Sequence, residues 1–121
     1  MDIPNSISIS KRVRDQFQTI KNKTGLPNNV LSRIALMLAM ESGAVVKPGA
    51  REDAGGQTLS RDLMFGDYAE IYDILIRQYL VERGSDLPVG EAIGGLIEVG
   101  AHKMAHCRSI EEVCRLGQPN E

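Results

Sequence analysis

The chain has 121 residues, of which 42% are hydrophobic and 25% are charged, and its formal net charge is −2. This composition is ordinary for a soluble globular protein and the length corresponds to one domain, so we expect a single domain over residues 1–121. No apolar run approaches the roughly 20 residues that span a bilayer and the first residues are polar, so we exclude membrane, secreted and fibrous proteins and expect a cytoplasmic location.

The N-terminal residues predict a short strand followed by a helix. Residues 5–10 alternate between polar and apolar, which would place Ile7 and Ile9 on one side of a strand. Ser10 is a suitable N-cap for a helix that ends near Lys23. The spacing i, i+4, i+7 predicts the buried face of this helix. That face consists of Val13, Phe17 and Ile20.

A second helix is predicted to follow a short turn. Gly25 suits the left-handed position after a helix, and Pro27 suits the first turn of the next one. The second helix would run to about Ser42. Because apolar residues cover most of its surface, we expect it to be central in the fold.

The second half of the chain predicts a long loop and three further helices. Residues 43–62 contain five glycines or prolines and are read as a long surface loop, which is often functional or mobile. A third helix over 67–83 would have an inner apolar face, with Asp67, Glu70 and Asp73 on its polar side. The predicted inner face consists of Tyr68, Ile71, Tyr72, Leu75, Ile76 and Tyr79.

A fourth helix is predicted over residues 89–107. The glycines Gly94, Gly95 and Gly100 lower its helix propensity and would allow close contact with another helix or subunit. Ser109 and Glu112 have the spacing of a capping box, which opens a last short helix to about Leu116. We expect the tail 117–121 to be frayed.

The sequence offers few residues for catalysis or metal binding. Glu98, His102 and His106 have helical spacing and a ligand-like composition, but along one straight helix they would span about 12 Å, too far to converge on one ion. Cys107 and Cys114 form no metal-binding motif and are expected to be core or partly buried thiols. No phosphate-binding glycine loop is present. We therefore expect no metal, no cofactor and no enzymatic activity, with a metal-dependent nickase as a rival hypothesis.

Positive charge is concentrated near the N terminus. The first 35 residues contain six Lys or Arg against two Asp, whereas the remaining residues contain eight basic and fourteen acidic side chains. Surface cations bind phosphates through counterion release, and helix N-termini add backbone donors. A solvated helix face without a partner is the alternative. The predicted nucleic-acid-binding residues are Lys11, Arg12, Arg14, Lys21, Lys23, Asn28, Asn29 and Arg33.

The order of a strand followed by two helices resembles the ribbon-helix-helix layout. In that layout, paired strands from two chains meet DNA. A ribbon-helix-helix transcriptional regulator or antitoxin is therefore an alternative function, and it would read bases through Ser6 and Ser8. We rank it lower because small uncharged side chains read bases poorly compared with Arg, Asn or Gln. A scaffold that contacts only proteins through the second helix is a further alternative.

Several segments together resemble the DNA sulfur-modification protein DndE family. The first block contains Ile7-Ser8-Ile9-Ser10, a basic helix with Ile20-Lys21 and Lys23-Thr24-Gly25, and the run from Pro27 to Leu36. Residues 56–66 and the pair Ala101-His102 are similar to later blocks of the family. The resemblance covers about residues 6–116, and its first block is the most specific.

The resemblance implies a part in DNA phosphorothioation, in which sulfur replaces a non-bridging phosphate oxygen. It implies a small, mainly helical, self-associating protein that binds duplex and nicked DNA, while partner proteins mobilise and activate the sulfur. We therefore expect a non-enzymatic DNA-binding subunit. It would act as a dimeric or tetrameric homo-oligomer with other proteins of the sulfur-modification complex and without a membrane.

Overall fold

Helices make up most of the chain in this computed structural model, which describes residues 1–105 and 109–116. The predicted class, a mainly helical protein with a short N-terminal strand, is confirmed. A single turn of 3-10 helix over Gly66–Tyr68 links the third and fourth helices. In chain order, the elements are β1 (Ser6–Ile9), α1 (Lys11–Thr24), α2 (Asn28–Glu41), β2 (Gln57–Ser60), α3 (Arg61–Phe65), α4 (Ala69–Glu82), α5 (Val89–Met104) and α6 (Ile110–Leu116).

The first helix begins and ends where its local sequence predicts. The Ser10 hydroxyl accepts a hydrogen bond from the backbone N–H of Val13 at 3.2 Å, which satisfies a free donor of the first turn. Gly25 adopts φ 78°, a left-handed conformation, and its N–H donates to the carbonyl of Lys21 at 2.8 Å. The predicted inner face of α1 is confirmed. Its buried residues are Val13, Phe17 and Ile20.

The strand β1 forms an antiparallel pair with β2, in which Ser6 lies opposite Ser60 and Ile9 opposite Gln57. Residues 43–62 were predicted to be one long loop, and this prediction is wrong for residues 57–62. The alternation of exposed Thr58 and buried Leu59 allows this stretch to pair with β1 and to cover the core. The segment without helix or strand ends at 56.

The N-terminal half has the predicted strand–helix–helix order, but the strand is paired differently from a ribbon-helix-helix protein. In that layout the strand pairs with a second chain. Here β1 pairs with β2 of the same chain. Ser8 lies across from Thr58, with 3.3 Å between the two hydroxyl oxygens. The pairing that would present β1 to DNA as an intermolecular ribbon is therefore replaced by an intramolecular one.

The predicted third helix, 67–83, corresponds to the end of the 3-10 turn and to α4, and its inner face is only partly as predicted. Ile76 and Tyr79 are buried, but Tyr68, Ile71 and Leu75 are more than half exposed. Ala69, Asp73 and Leu80 are buried instead. Asp73 was expected on the polar side of the helix, and this was wrong.

The burial of Asp73 is explained by the N-terminal segment, which packs against α4. One carboxylate oxygen of Asp73 accepts hydrogen bonds from the backbone N–H groups of Asp2 and Ile3 at 2.9 and 3.0 Å. The other oxygen accepts from Arg77 Nε at 3.0 Å. Buried carboxylates are tolerated when they are paired in this way. The sequence alone gave no sign of this contact because its partners lie some 70 residues away.

Helices α2 and α5 cross closely in the centre of the fold. A Cβ placed on Gly100 would lie 1.8 Å from the carbonyl oxygen of Ala35, so only glycine permits this approach. The central position of α2 is therefore confirmed, and the close helix contact is confirmed at Gly100. Gly94 and Gly95 instead face side chains of the loop that follows α2. Helix α5 is continuous over Val89–Met104. Ala105 is its C-cap, and the last two residues of its predicted extent, His106 and Cys107, lie outside the described residues.

The last helix is capped as predicted, because the Ser109 hydroxyl accepts from the backbone N–H of Glu112 at 3.1 Å. Cys114 on this helix is exposed, so the expectation of a core or partly buried thiol is wrong for it. The predicted frayed tail, 117–121, lies outside the described residues. None of the helices in the described part of the chain combines the length and apolar character needed to cross a membrane.

Candidate nucleic-acid interface

Helix α1 places the predicted cations at its two ends. Its 14 residues span about 20 Å. Lys11, Arg12 and Arg14 lie at the start and form what we call the N-terminal cluster. Lys21 and Lys23 lie in the last turn and form the Lys21–Lys23 pair. The basic patch predicted from the sequence is therefore two separate groups of cations with different surroundings.

Arg12 is held by acidic groups of the protein itself. Its Nη2 donates to Glu98 Oε2 at 2.5 Å, and Glu98 is only 4% exposed. Arg12 Nε lies 3.2 Å from Glu52 Oε1, but the geometry is not that of a hydrogen bond, so this contact is an ion pair only. Nη1 lies 3.4 Å from His102 Nδ1. Arg12 therefore joins α1 to α5 and to the loop before β2.

Arg14 is also held by internal side-chain contacts, whereas Lys11 forms a hydrogen bond only through its backbone N–H. Arg14 donates from Nη1 to the Gly56 carbonyl and from Nε to Asp15, both at 3.2 Å. The backbone N–H of Lys11 donates to Asp53 Oδ1 at 3.2 Å, and Gly55 N–H donates to the same oxygen at 2.8 Å. Internal acidic and carbonyl groups thus engage this end of α1.

These contacts lower the pKa of Asp53 below its ordinary value. The backbone N–H of Gly55 has the largest effect, desolvation opposes it, and the N–H and charge of Lys11 and the charge of Arg14 add to it. Each favourable contact stabilises the carboxylate form. The stretch from Asp53 to Gly55 is a short turn closed by an aspartate side chain, a local signal that the sequence analysis did not use.

We expect the Asp53 carboxyl to titrate at a lower pH in the folded protein than in the unfolded chain. Its contribution to stability is complete above the unfolded pKa of about 3.9 and is lost as the pH falls through the lower folded pKa. Carboxyl carbon NMR of Asp53 between acidic and neutral pH, without and with urea, measures both midpoints. A folded midpoint equal to or above the unfolded one would contradict the prediction, and Asp53→Asn identifies the signal.

The Lys21–Lys23 pair has a different environment. Both side chains are exposed, and neither forms an ion pair with any residue in 1–105 or 109–116. Their position in the last turn of α1 complements the negative end of the helix dipole. This stabilising effect would account for the two lysines even if they contacted no binding partner. They also remain free to contact an anion.

The predicted residues of α2 are used to hold the β2–α3 segment. Asn28 Nδ2 donates to Gln57 Oε1 at 2.6 Å, and Asn29 Nδ2 donates to the Leu63 carbonyl at 2.9 Å. Arg33 Nη1 donates to the Met64 carbonyl at 2.8 Å rather than pairing with an acid. All three side chains are half-buried. Because these side chains hold β2 and α3 against α2, the structure does not bring all eight predicted residues to one open surface.

Glu98 and His102 share one face of α5, as their spacing predicts, and both contact Arg12. His106 lies outside the described residues. Within the described ranges, no group of three or more His, Cys, Asp or Glu side chains is arranged to hold a metal ion. The acidic partners of the cations, Glu52, Asp53 and Glu98, could not be predicted because they lie far from α1 along the chain.

Two of three comparisons with known proteins gave a match. A family model described as DNA sulphur modification protein DndE matches residues 6–111. A search of curated protein sequences gave no match. Among solved structures, the chain is similar to the crystal structure of DndE from Escherichia coli B7A, a protein involved in DNA phosphorothioation modification. The TM-score is 0.68 at 19% sequence identity, and the match covers 83% of this chain and 95% of that one.

At 19% identity the structural similarity shows a shared fold only, so membership of the family is concluded from the family-model match. That match extends from β1 into α6 and so includes every element on which the two groups of cations depend. The chain therefore belongs to the DndE family of DNA sulphur modification proteins.

Proposed function

We propose that this protein is a non-catalytic subunit of DNA phosphorothioation that binds the backbone of duplex DNA, nicked duplex included, through the Lys21–Lys23 pair. Family membership and the stated role of the E. coli relative support the pathway. The observation that supports the site is the contrast at the two ends of α1. Arg12 and Arg14 are engaged by internal partners, whereas Lys21 and Lys23 are exposed without an ion pair in the described chain.

The neighbourhood of the Lys21–Lys23 pair also favours an anion. Helix α2 begins at Asn28, a few residues after Lys23, and its N-cap, Pro27, provides no side-chain acceptor for the first turn. Backbone N–H groups at a helix N-terminus favour phosphate. The positive end of α2 and the two lysines therefore lie close together along the chain. The phosphates of one DNA backbone could contact both groups.

Self-association strengthens such a site. Each phosphate contact contributes about 0.9 to the slope of log affinity against log salt, so two lysines give a slope of only about 2 per chain. A dimer or tetramer would multiply the contacts and present them along the duplex. We propose such a homo-oligomer, which delivers DNA to partner proteins of the sulfur-modification complex that carry out the sulfur chemistry.

Charge reversal at Lys21 and Lys23 tests the proposal. We expect the wild type to bind intact and nicked duplexes in fluorescence anisotropy and to weaken steeply as salt rises. Lys21→Glu with Lys23→Glu should abolish binding at moderate salt, because two attractive phosphate contacts become repulsive. Neutral substitution, Lys21→Gln with Lys23→Gln, should make the salt slope shallower by about 2 for each chain in contact.

A second charge-reversed variant serves as the matched control. Lys47 and Arg115 are exposed and lie beyond the other end of α2, on the loop that follows it and on α6. Lys47→Glu with Arg115→Glu changes the net charge by the same amount and should retain most of the binding. Equal loss in both reversed variants would indicate a general charge effect, and no binding of wild type to either duplex at low salt would overturn the proposal.

A further inference from the structure

Helix α4 has a second apolar face that the fold leaves uncovered. Ile71, Ile74 and Leu75 have the spacing i, i+3, i+4, and they are 55%, 59% and 54% exposed. The opposite face of the same helix packs on the core through Ile76 and Leu80. A surface helix of a globular protein normally exposes a polar face. A contiguous apolar stripe on the outside is typical of an interaction site.

The stripe continues onto the C-terminal half of α2. Met37 is 51% exposed and lies beside Tyr72 and Leu75 in a groove of about 190 Å³ between α2 and α4. The same methionine borders a second groove of about 350 Å³, where Val113 of α6 faces α2. Met37 therefore connects the two grooves. We define the α2–α4 face as Met37, Ile71, Ile74 and Leu75.

Acidic side chains surround the α2–α4 face. Glu41 lines the larger groove. Glu70 is exposed on α4 next to Ile71, and Glu82 is exposed at the C-terminal end of the same helix, seven residues after Leu75. The basic residue of α4, Arg77, is paired with Asp73 and Asp2. An occupant of this face therefore needs apolar side chains for the grooves and positive charges for the rim.

A second copy of the chain does not offer that combination on α1, α4, α5 or α6. Helix α1 is the most basic, but its large apolar residues are buried, so its outer surface is polar. With His counted as neutral, helices α4, α5 and α6 each carry more acidic than basic residues. Symmetric pairing of the face with itself would also bring the acidic rims together, which is unfavourable.

We infer that the α2–α4 face binds a cationic amphipathic helix of a protein partner, with its apolar side chains in the two grooves. This is the helix-in-groove mode of recognition, which uses anchors at i, i+3 or i+4 and i+7. The inference goes beyond the proposed DNA binding and does not depend on it. The face lies toward the C-terminal end of α2, whereas the Lys21–Lys23 pair precedes its N-terminal end, so both surfaces are available together.

A synthetic peptide tests the inference. The probe is a fluorescein-labelled amphipathic helix of about five turns that contains only Leu and Lys, compared with a peptide of the same pattern in which Glu replaces Lys. We expect one Leu/Lys peptide to bind per chain, and the Leu/Glu peptide to bind at least tenfold more weakly. Leu75→Ser and Glu41→Lys should each weaken Leu/Lys binding by about tenfold.

Two control variants make the result specific. Val45 is 59% exposed outside the α2–α4 face, so Val45→Ser removes an exposed apolar side chain elsewhere and should leave peptide binding unchanged. Lys21→Glu with Lys23→Glu should also leave it unchanged, which separates this surface from the DNA site.

Four outcomes would overturn the inference. They are no binding of the Leu/Lys peptide, equal binding of both peptides, binding that Leu75→Ser does not weaken, and a fall in oligomer mass in that variant during sedimentation equilibrium. The last outcome would show that a second copy covers the face.

Discussion

Replacing Gly100 with alanine is expected to lower the free energy of unfolding by about 3 kcal/mol or more. The new methyl group would lie 1.8 Å from the carbonyl oxygen and 2.7 Å from the Cα of Ala35. Both are backbone atoms of α2, so no side-chain rotation relieves the clash, and α2 and α5 must move apart. Since a domain of this size has only about 5–15 kcal/mol of stability, much of it would be lost. Urea denaturation followed by circular dichroism measures the change.

Gly94→Ala is the matched control, because it places the same methyl group in the same helix. There the closest atom is Arg51 Nη1 at 2.8 Å, at the end of a flexible side chain. The better helix propensity of alanine, about 1 kcal/mol, offsets the displacement of that guanidinium and of its 2.9 Å hydrogen bond to the Ser8 carbonyl. We expect a change within about 1 kcal/mol. Equal destabilisation by both substitutions would show that the α2–α5 contact is not the cause.

Arg12→Ala is expected to destabilise the protein by about 3 kcal/mol, although the sequence predicts Arg12 as a DNA contact. The substitution leaves the Glu98 carboxylate, which is 4% exposed, without its counterion. Removing one partner of a buried ion pair typically costs about 3–5 kcal/mol, and we expect the lower end because the Arg12 side chain is 28% exposed. Thermal and urea denaturation measure the loss.

Two further variants distinguish the ion pair from a general effect of lost charge. Lys11 is the neighbouring residue, and its side chain is exposed, so Lys11→Ala should change stability by less than about 0.5 kcal/mol. Arg12→Met combined with Glu98→Met removes both charges and should recover most of the stability, since apolar replacement of a buried pair is often neutral. Arg12→Ala with unchanged stability would contradict the assignment of Arg12 as a structural residue.

This prediction affects how DNA-binding data are read. If Arg12→Ala loses DNA binding, the fraction of folded protein must be measured at the same temperature before the loss is assigned to a phosphate contact. The Lys21–Lys23 pair does not carry this ambiguity, because its side chains are exposed and form no ion pair within the described ranges.

Features that depend on neighbouring residues could be predicted from the amino-acid sequence. The cap at Ser10, the left-handed Gly25 and the buried face of α1 follow from the geometry of one helix, which a few adjacent residues specify. The family was also predicted correctly, since its blocks are runs of consecutive residues and the family model matches residues 6–111.

Which charged side chains are paired and which are free depends on contacts between distant parts of the chain. Arg12 and Glu98 are 86 residues apart, and Asp2 and Asp73 are 71 apart, so no local pattern predicts that these groups meet. The strand β2 was missed for the same reason, because its hydrogen bonds come from β1, about 50 residues earlier. Helix periodicity is a local property. Whether a charged side chain is exposed or paired depends on which distant residues the fold places next to it. For this reason the sequence identified the basic helix, and the fold decided which of its cations remain available.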